Sequence, residues 1–373
     1  MTTERDDLGR VIEISDSQVM ALEPVVSVYM STYNHAEYLA QAIEGVRAQR
    51  TTFPIELVIG EDCSTDRTRE IAIEYQQRHP DLIRIITGPE NLGSRRNARR
   101  TLGRVRGEFV AFCEGDDWWC HPDKLQRQVE ILRENPAIGV VHGAFQRAEF
   151  RGGGWMTSES PPRPAPLSGH LFSRIFSEYP MQTCTVLYRR EVIEAFRASE
   201  FDRPEYLSGD TALSAFCCAS WEVGFLDEVV STYRISPGSM TRSGYPSMHR
   251  FKQSSIGLYE HFRRVYGDRE DFDVAFGEVI YRRAADSAFR AGDEEAFQQA
   301  VAVLGERDPS ALSAPGLRFR RLVIRSRFML FVVLGMLESR SRIRECIREW
   351  RVRLARAGRR VRERAVFVSG TRG

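Results

Sequence analysis

The sequence predicts an α/β fold in which a mostly parallel sheet is flanked by helices and followed by a helical extension. Three observations carry that expectation. Short apolar runs alternate with helix-patterned segments from Val25 to Cys113, the arrangement of successive βαβ units. Polar clusters fall just past the ends of the apolar runs, where parallel sheets hold ligands. An apolar fraction of 42% beside 28% charged residues supplies ample material for a core.

The elements follow in order. Residues 1–24 are polar and are expected to form a tail. Residues 25–30 read as a buried strand, ended by Ser31, Thr32, Tyr33 and Asn34. In residues 37–49, Leu39, Ile43 and Val46 recur at the spacing of one helix face. Residues 55–60 form a second strand, and residues 66–79 a second helix started by the cap region Ser64, Thr65, Asp66. Residues 83–87 give a third strand, 97–105 a helix and 108–113 a fourth strand. Gly152, Gly153, Gly154 and then Pro161, Pro162, Arg163, Pro164 mark a break, read as a mobile loop. A second set of elements is expected over residues 170–234, and residues 248–304 are mostly helical in pattern. No internal repeat is present.

The polar clusters at the strand ends are Thr32-Tyr33-Asn34, Glu61-Asp62 and Glu114-Gly115-Asp116-Asp117. Three carboxylates packed so closely repel one another unless protons or a cation offset them. Mg²⁺ or Mn²⁺, bound by one or two carboxylates plus phosphate oxygens, meets that need. On spacing alone, a solvated turn before the helix that begins near His121-Pro122 accounts for the cluster equally well. Trp118 and Trp119 beside it are sugar-stacking candidates, though aromatic residues are more often buried.

Together and in this order, these motifs resemble the family 2 glycosyltransferases of GT-A fold. The likeness runs over residues 25–240 and includes Pro122-Asp123-Lys124-Leu125 and Gln128, which follow the acidic cluster as the residues around that family's DxD motif do. The resemblance implies an inverting transfer of a sugar, most often from a UDP-linked donor, to an acceptor hydroxyl. It implies that Tyr33 and Asp62, with Thr32 in the same loop, bind the nucleotide base. Asp116 and Asp117 then match the metal and sugar-diphosphate site, and Glu114 stands where many relatives carry Asp. Arg95, Arg96 and Arg99 follow the turn Asn91-Leu92-Gly93; Arg95 is the candidate partner of a phosphate, with a solvated helix face as the alternative. Asp210 stands where the family has its general base. A carboxylate there removes the acceptor hydroxyl's proton, and the same residue also suits an N-cap before an apolar helix. Two departures stand out: Ser31 where relatives often have Pro, and Ser236 where the family often has His, a role that would pass to Ser239 or His249.

Formal net charge is +2, and it hides an asymmetry. Residues 317–373 hold 17 Arg, no Lys and four Glu, so the rest of the chain is acidic. Ile343, Ile347, Trp350, Leu354 and Val361 recur at helical spacing in this tail, which makes it a basic amphipathic helix suited to an anionic membrane. The alternatives are packing on the protein body or on a second subunit. Nucleic acid is not an expected partner, since no recognised module accompanies the charge. The start lacks a secretion signal, the seven cysteines have no CxxC spacing, and residues 328–337 are too short a run to span a bilayer. The expected location is cytoplasmic, peripheral on the inner face of the membrane. The expected organisation is thus a tail at 1–24, a glycosyltransferase domain at 25–240, a helical extension at 241–316 and the Arg-rich tail at 317–373. Two other functions compete: a nucleotidyltransferase, which would need a basic triphosphate loop that residues 31–35 lack, and a catalytically silent nucleotide-sugar-binding protein.

Overall fold

The computed structural model describes residues 9–151, 153–160, 167–235, 245–274, 276–307 and residue 320. The chain forms two compact units, residues 1–280 and residues 281–373. In the first unit the order begins β1 (Ile12–Ile14), α1 (Ser17–Ala21), β2 (Val26–Thr32), α2 (Leu39–Arg47), β3 (Ile55–Glu61), α3 (Thr68–Arg78), β4 (Ile83–Thr87), α4 (Ser94–Leu102) and β5 (Phe109–Phe112). It continues with β6 (Trp118–Trp119), α5 (Lys124–Glu134), β7 (Ile138–Arg151), β8 (Gly154–Glu159), α6 (Ile175–Glu178), β9 (Leu187–Arg189), α7 (Arg190–Ala198), α8 (Gly209–Ser220), β10 (Glu222–Ile235) and α9 (Tyr245–Tyr266). Then α10 (Phe276–Ala291) leads to α11 (Glu294–Arg307) in the second unit, where Phe289 and Phe297 meet with ring centroids 6.2 Å apart.

The strands form one sheet in the order β1-β4-β3-β2-β5-β9-β7-β10-β6, with β8 on β7. Its centre is parallel: β2 pairs with both β3 and β5, and β3 with β4. Strand β9 is inserted antiparallel between β5 and β7, and β7 and β10 run parallel to each other. The expected α/β sheet flanked by helices is therefore present, parallel where the first four predicted strands lie. The alternation explains the packing. Val26, Val28 and Met30, Leu57 and Ile59, Ile83 and Ile85, and Phe109 and Ala111 share one core, because residues two apart on a strand share a face. Leu39, Ile43 and Val46 of α2 and Leu125, Val129 and Leu132 of α5 close that core. On the other face α4 lies so near β3 that a Cβ on Gly60 would stand 2.1 Å from Thr101 Oγ1.

Three expectations need correction. Residues before Pro24 are not simply a tail: β1 adds an antiparallel edge to β4, with Ile12 opposite Thr87, and Val19 of α1 is buried. The glycine-rich break is not a plain loop, because Gly153 and Gly154 lead into a strand, while residues 152 and 161–166 lie outside the described residues. Gly153 there has φ +85°, and β8 pairs back along β7 from Gly154 to Glu159. Helix α9 belongs with the sheet unit, because Phe262 stacks on Phe201 at 4.1 Å and Tyr259 meets Phe176 edge-on. Among the described residues no helix is long and apolar enough to cross a membrane.

The amino ends of the parallel strands are locked by buried charge. Glu56 accepts from Ser27 Oγ at 2.6 Å and from Arg84 Nη1 at 2.9 Å, and pairs with Arg106 at 2.6 Å. Burial pushes the Glu56 carboxyl up, but the bonds from Arg106, Ser27 and Arg84 outweigh it and hold it below the ordinary carboxylate range. A depressed folded value means the contribution is complete above the unfolded value of about 4.3 and fades as pH falls through the folded one. Glu56→Gln should therefore cost about 3 kcal/mol near neutral pH, read by urea unfolding. The gap from wild type should close below about pH 4; a gap that persists there would contradict the ionic account.

Candidate active site

The chain starts in the middle of the parallel block at β2, proceeds outward through β3 and β4, and returns to β5 on the other side of β2. Carboxyl ends of strands open a crevice at such a reversal. Here a cleft of about 710 Å³ lies at that point, lined by residues that include Thr32, Tyr33, Asp62, Gly93, Glu114 and Asp116.

One wall is the loop after β2. Asn34 adopts φ +55°, a left-handed conformation that Asn tolerates. Its backbone N–H donates to Ser64 Oγ at 3.1 Å, and its side-chain oxygen accepts from Thr65 N–H at 2.8 Å. His35 N–H reaches Thr68 Oγ1 at 2.8 Å. The loops after β2 and β3 are thereby tied together, leaving the Tyr33 ring 41% exposed at the rim. Beneath it, Asp62 accepts from the N–H groups of Leu92 and Gly93, both at 2.9 Å. Burial raises its pKa, against the lowering effect of those two bonds. Asp62 thus shapes the turn that leads into α4.

The other wall is the acidic turn after β5. Gly115 N–H donates to Ser31 O at 2.9 Å. A Cβ on Gly115 would come within 2.7 Å of Thr32 Oγ1 and 3.1 Å of His35 Nδ1, so a side chain there would push the two walls apart. Glu114 and Asp116 both line the cleft. Burial, with Asp116 and Asp210 nearby, pushes the Glu114 carboxyl up to about 8, and its Oε2 is enclosed without a hydrogen-bond partner. A divalent cation beside this pair would offset the repulsion, and two carboxylates plus phosphate oxygens suffice for Mg²⁺ or Mn²⁺. Among the described residues no three His, Cys, Asp or Glu side chains converge as a complete protein-only metal cage.

Asp117, the third expected metal ligand, does not line the cleft. It is 3% exposed, and its Oδ1 accepts from the backbone N–H of Arg234 at 2.8 Å. Burial and then Asp116 and Glu114 push its pKa up, against bonds from Arg234 and the Cys184 thiol. Arg234 is the residue that sequence reasoning missed. Its guanidinium donates to Asp116 O and to Gln41 Oε1 and lies 4.4 Å from the Tyr38 ring, 4.6 Å from Trp118 and 4.9 Å from Trp155. Trp118 thus covers an arginine. Trp119 is core, donating its Nε1–H to Cys184 O at 2.9 Å.

Arg95, the candidate phosphate partner, is engaged within the protein. Its guanidinium pairs with Asp202 at 3.0 Å and donates to Arg203 O at 3.3 Å, so it serves the protein's own carboxylate. Arg99 joins the same Asp202 at 3.0 Å. Asp210 stands exposed in the first turn of α8. Its Oδ2 accepts from Tyr179 OH at 2.8 Å and from Thr183 Oγ1 at 3.2 Å. It lines a small recess with Phe112, Met181, Thr183 and Ser214 rather than the large cleft, yet its charge reaches Glu114. Tyr179 itself is held at φ +46°, an uncommon conformation of the kind that gathers at functional sites. Ser236 and Ser239 lie outside the described residues; His249 is buried on α9.

Residues 27–197 match the family described as glycosyl transferase family 2. The chain belongs to this family. A protein of Mycobacterium tuberculosis is 34% identical over 263 residues, 68% of this chain and 72% of its own length. A glycosyltransferase of Nostoc sp. is 37% identical over 176 residues, 45% of this chain and 52% of that protein. In shape, the chain resembles a mannosyltransferase of Pyrobaculum calidifontis solved with GDP-Man and Mn²⁺, with TM-score 0.48 and 17% identity, covering 86% of this chain and 89% of that one.

Below the acidic turn sits a buried lysine. Lys124 Nζ donates to Gln128 Oε1 at 2.9 Å and lies 4.1 Å from the Trp119 ring. Burial lowers its pKa to about 7. Between pH 7 and about 10 the unfolded chain then binds more protons at this site than the folded one, so folding stability rises with pH by at most about 1.4 kcal/mol per unit. Lys124→Met removes the term. Its stability relative to wild type should be greatest below pH 7 and decline steadily towards pH 10 in urea titrations; a pH-independent difference would overturn the assignment.

Proposed function

We propose that this glycosyltransferase is inverting and takes its sugar from a nucleoside-diphosphate donor, UDP-linked, for transfer to a hydroxyl of a lipid-linked or surface glycan. The observation that carries the reading is the cleft at the β2/β5 reversal, with Tyr33 and Asp62 on one wall and Glu114 and Asp116 on the other. That layout suits an extended ligand with a planar base at one end and an anionic centre at the other. Tyr33 offers a ring face for the base, and Thr32 and Asp62 border it. Asp116 with Glu114 would hold a divalent cation, Mg²⁺ or Mn²⁺, which supplies positive charge against the departing diphosphate. Asp210 takes the proton from the acceptor hydroxyl as that oxygen bonds to the anomeric carbon and the bond to the diphosphate breaks. Tyr179 OH and Thr183 Oγ1 donate to Asp210 Oδ2 and the Thr211 N–H donates to Oδ1 at 2.8 Å, which fixes the orientation of the carboxylate that receives the proton. Apart from residue 320, the Arg-rich residues 317–373 lie outside the described residues; their sequence favours attachment to an anionic membrane surface and, with it, a cytoplasmic peripheral enzyme.

The test begins with UDP-glucose, UDP-galactose and UDP-N-acetylglucosamine, each assayed for thermal shift and for UDP release with and without Mn²⁺. At least one should stabilise the protein in a Mn²⁺-dependent way, as a ligand of the folded state does. Asp116→Ala should lose that shift. Asp210→Asn should keep it while UDP release falls by about 10²–10⁴-fold. Folded variants that retain full turnover would sink the roles assigned to these carboxylates.

A further inference from the structure

Asp202 is nearly inaccessible, with a side chain 2% exposed, and grips two arginines of one helix: Arg95 Nη2 at 3.0 Å on Oδ1 and Arg99 Nε at 3.0 Å on Oδ2. A carboxylate so placed is costly to bury unless its bonds are complete. Held this way, the Arg95 guanidinium lies flat against the first residue of α8. A Cβ added to Gly209 would fall 1.7 Å from Arg95 Nη1 and 2.3 Å from Arg95 Cζ. No φ between +20° and +160° requires glycine at position 209; the three atoms nearest that Cβ all belong to Arg95, so a side chain there would require the guanidinium to move. The next residue is Asp210.

The other end of this contact is the cleft. Arg95 follows Gly93 and Ser94, both cleft-lining residues, and the N–H groups of Leu92 and Gly93 are held by Asp62. The segment carrying Asp202 is itself fixed from behind by α9. Tyr206 OH meets His261 Nδ1 at 2.6 Å, His261 Nε2 meets Glu200 Oε2 at 2.7 Å, and Leu207 N–H donates to Ser254 Oγ at 2.7 Å. Phe201 stacks on Phe262 in the same strap. The strap cannot move away from α4 without breaking these bonds, so α4 and the start of α8 are held at one fixed separation.

We propose that Asp202 and Arg95 are positioning residues that set Asp210 relative to the donor, by coupling the Asn91–Ser94 turn to the first turn of α8. The inference rests on the reading of Asp210 as the base. Arg95 contributes through the protein's own contacts rather than through a phosphate. Removing the link leaves each half-site intact but lets their separation drift, and a displacement of about 1 Å at reacting groups is enough to cost up to about 10²-fold in rate.

Two variants approach the link from opposite sides. Asp202→Asn keeps the shape and removes the charge; Gly209→Ala keeps the charge and forces the guanidinium off the α8 terminus. With the UDP-sugar that gives the largest Mn²⁺-dependent thermal shift, each should lower kcat for UDP release by about 10- to 100-fold while KM changes less than about threefold. The double variant should be little worse than either single, since both break one contact. Hydrogen exchange of the ligand-free protein should rise together at residues 93–97 and 208–213 in both variants, a readout that needs no turnover. Asp202→Glu, with its charge retained, should recover part of kcat. Wild-type kcat in both variants while Asp210→Asn is inactive overturns the link and leaves the base intact. Activity in Asp210→Asn instead removes the reading beneath it. Exchange that rises at one segment alone, or unfolding of both variants, would make the contact a stability element and likewise overturn the proposal.

Discussion

The cleft depends on how closely the carboxyl end of β2 approaches the turn after β5. Gly115 N–H bonds to Ser31 O, and the absence of a side chain lets Thr32 and His35 come against the turn. That contact exists only because β2 and β5 are neighbours although β3 and β4 intervene in sequence. The reversal brings the loop after β2 and the acidic turn onto one cleft. It also buries Glu114 beside Asp116 and within reach of Asp210, and burial first, then those two charges, pushes its carboxyl up to about 8.

The cost of this arrangement is met by fixed positive and polar groups behind the site. Arg234 acts twice, its backbone holding Asp117 and its guanidinium holding the Asp116 carbonyl and Gln41. Three aromatic rings surround that guanidinium, so its charge is screened from water while its donors stay aligned. Asp117 is therefore the carboxylate that shapes the turn, and Asp116 and Glu114 are the ones that line the cleft. At the opposite end of the strands, Glu56 with Arg84 and Arg106 keeps the parallel block in register. The acidic cleft is thus carried on a scaffold in which the buried Glu56 is paired with two arginines.

Local pattern made much of this legible. The first four predicted strands and their helices match β2–β5 and α2–α4 within a few residues, since alternation and 3.6-residue periodicity are properties of neighbouring positions. Strands β6 and β8 were not legible. Trp118–Trp119 is a strand only because it pairs with Ser231 and Thr232 more than a hundred residues later, and β8 exists by pairing with β7 around a glycine tip. Likewise β1 is too short to announce itself and is held by β4.

The same boundary divides the site residues. Sequence alone determined that carboxylates and polar groups stand at the strand ends, and the order of motifs identified their family, because spacing along a strand and turn is a local matter. Tertiary structure decided which member of each cluster faces the ligand. Asp116 and Asp117 are adjacent in sequence, but one lines the cleft and the other turns inward to Arg234 N–H. Arg95 looked available to a phosphate until Asp202, from a distant loop, claimed it. The direction of a side chain is set by partners brought in by folding, and those partners carry no mark at the position they control.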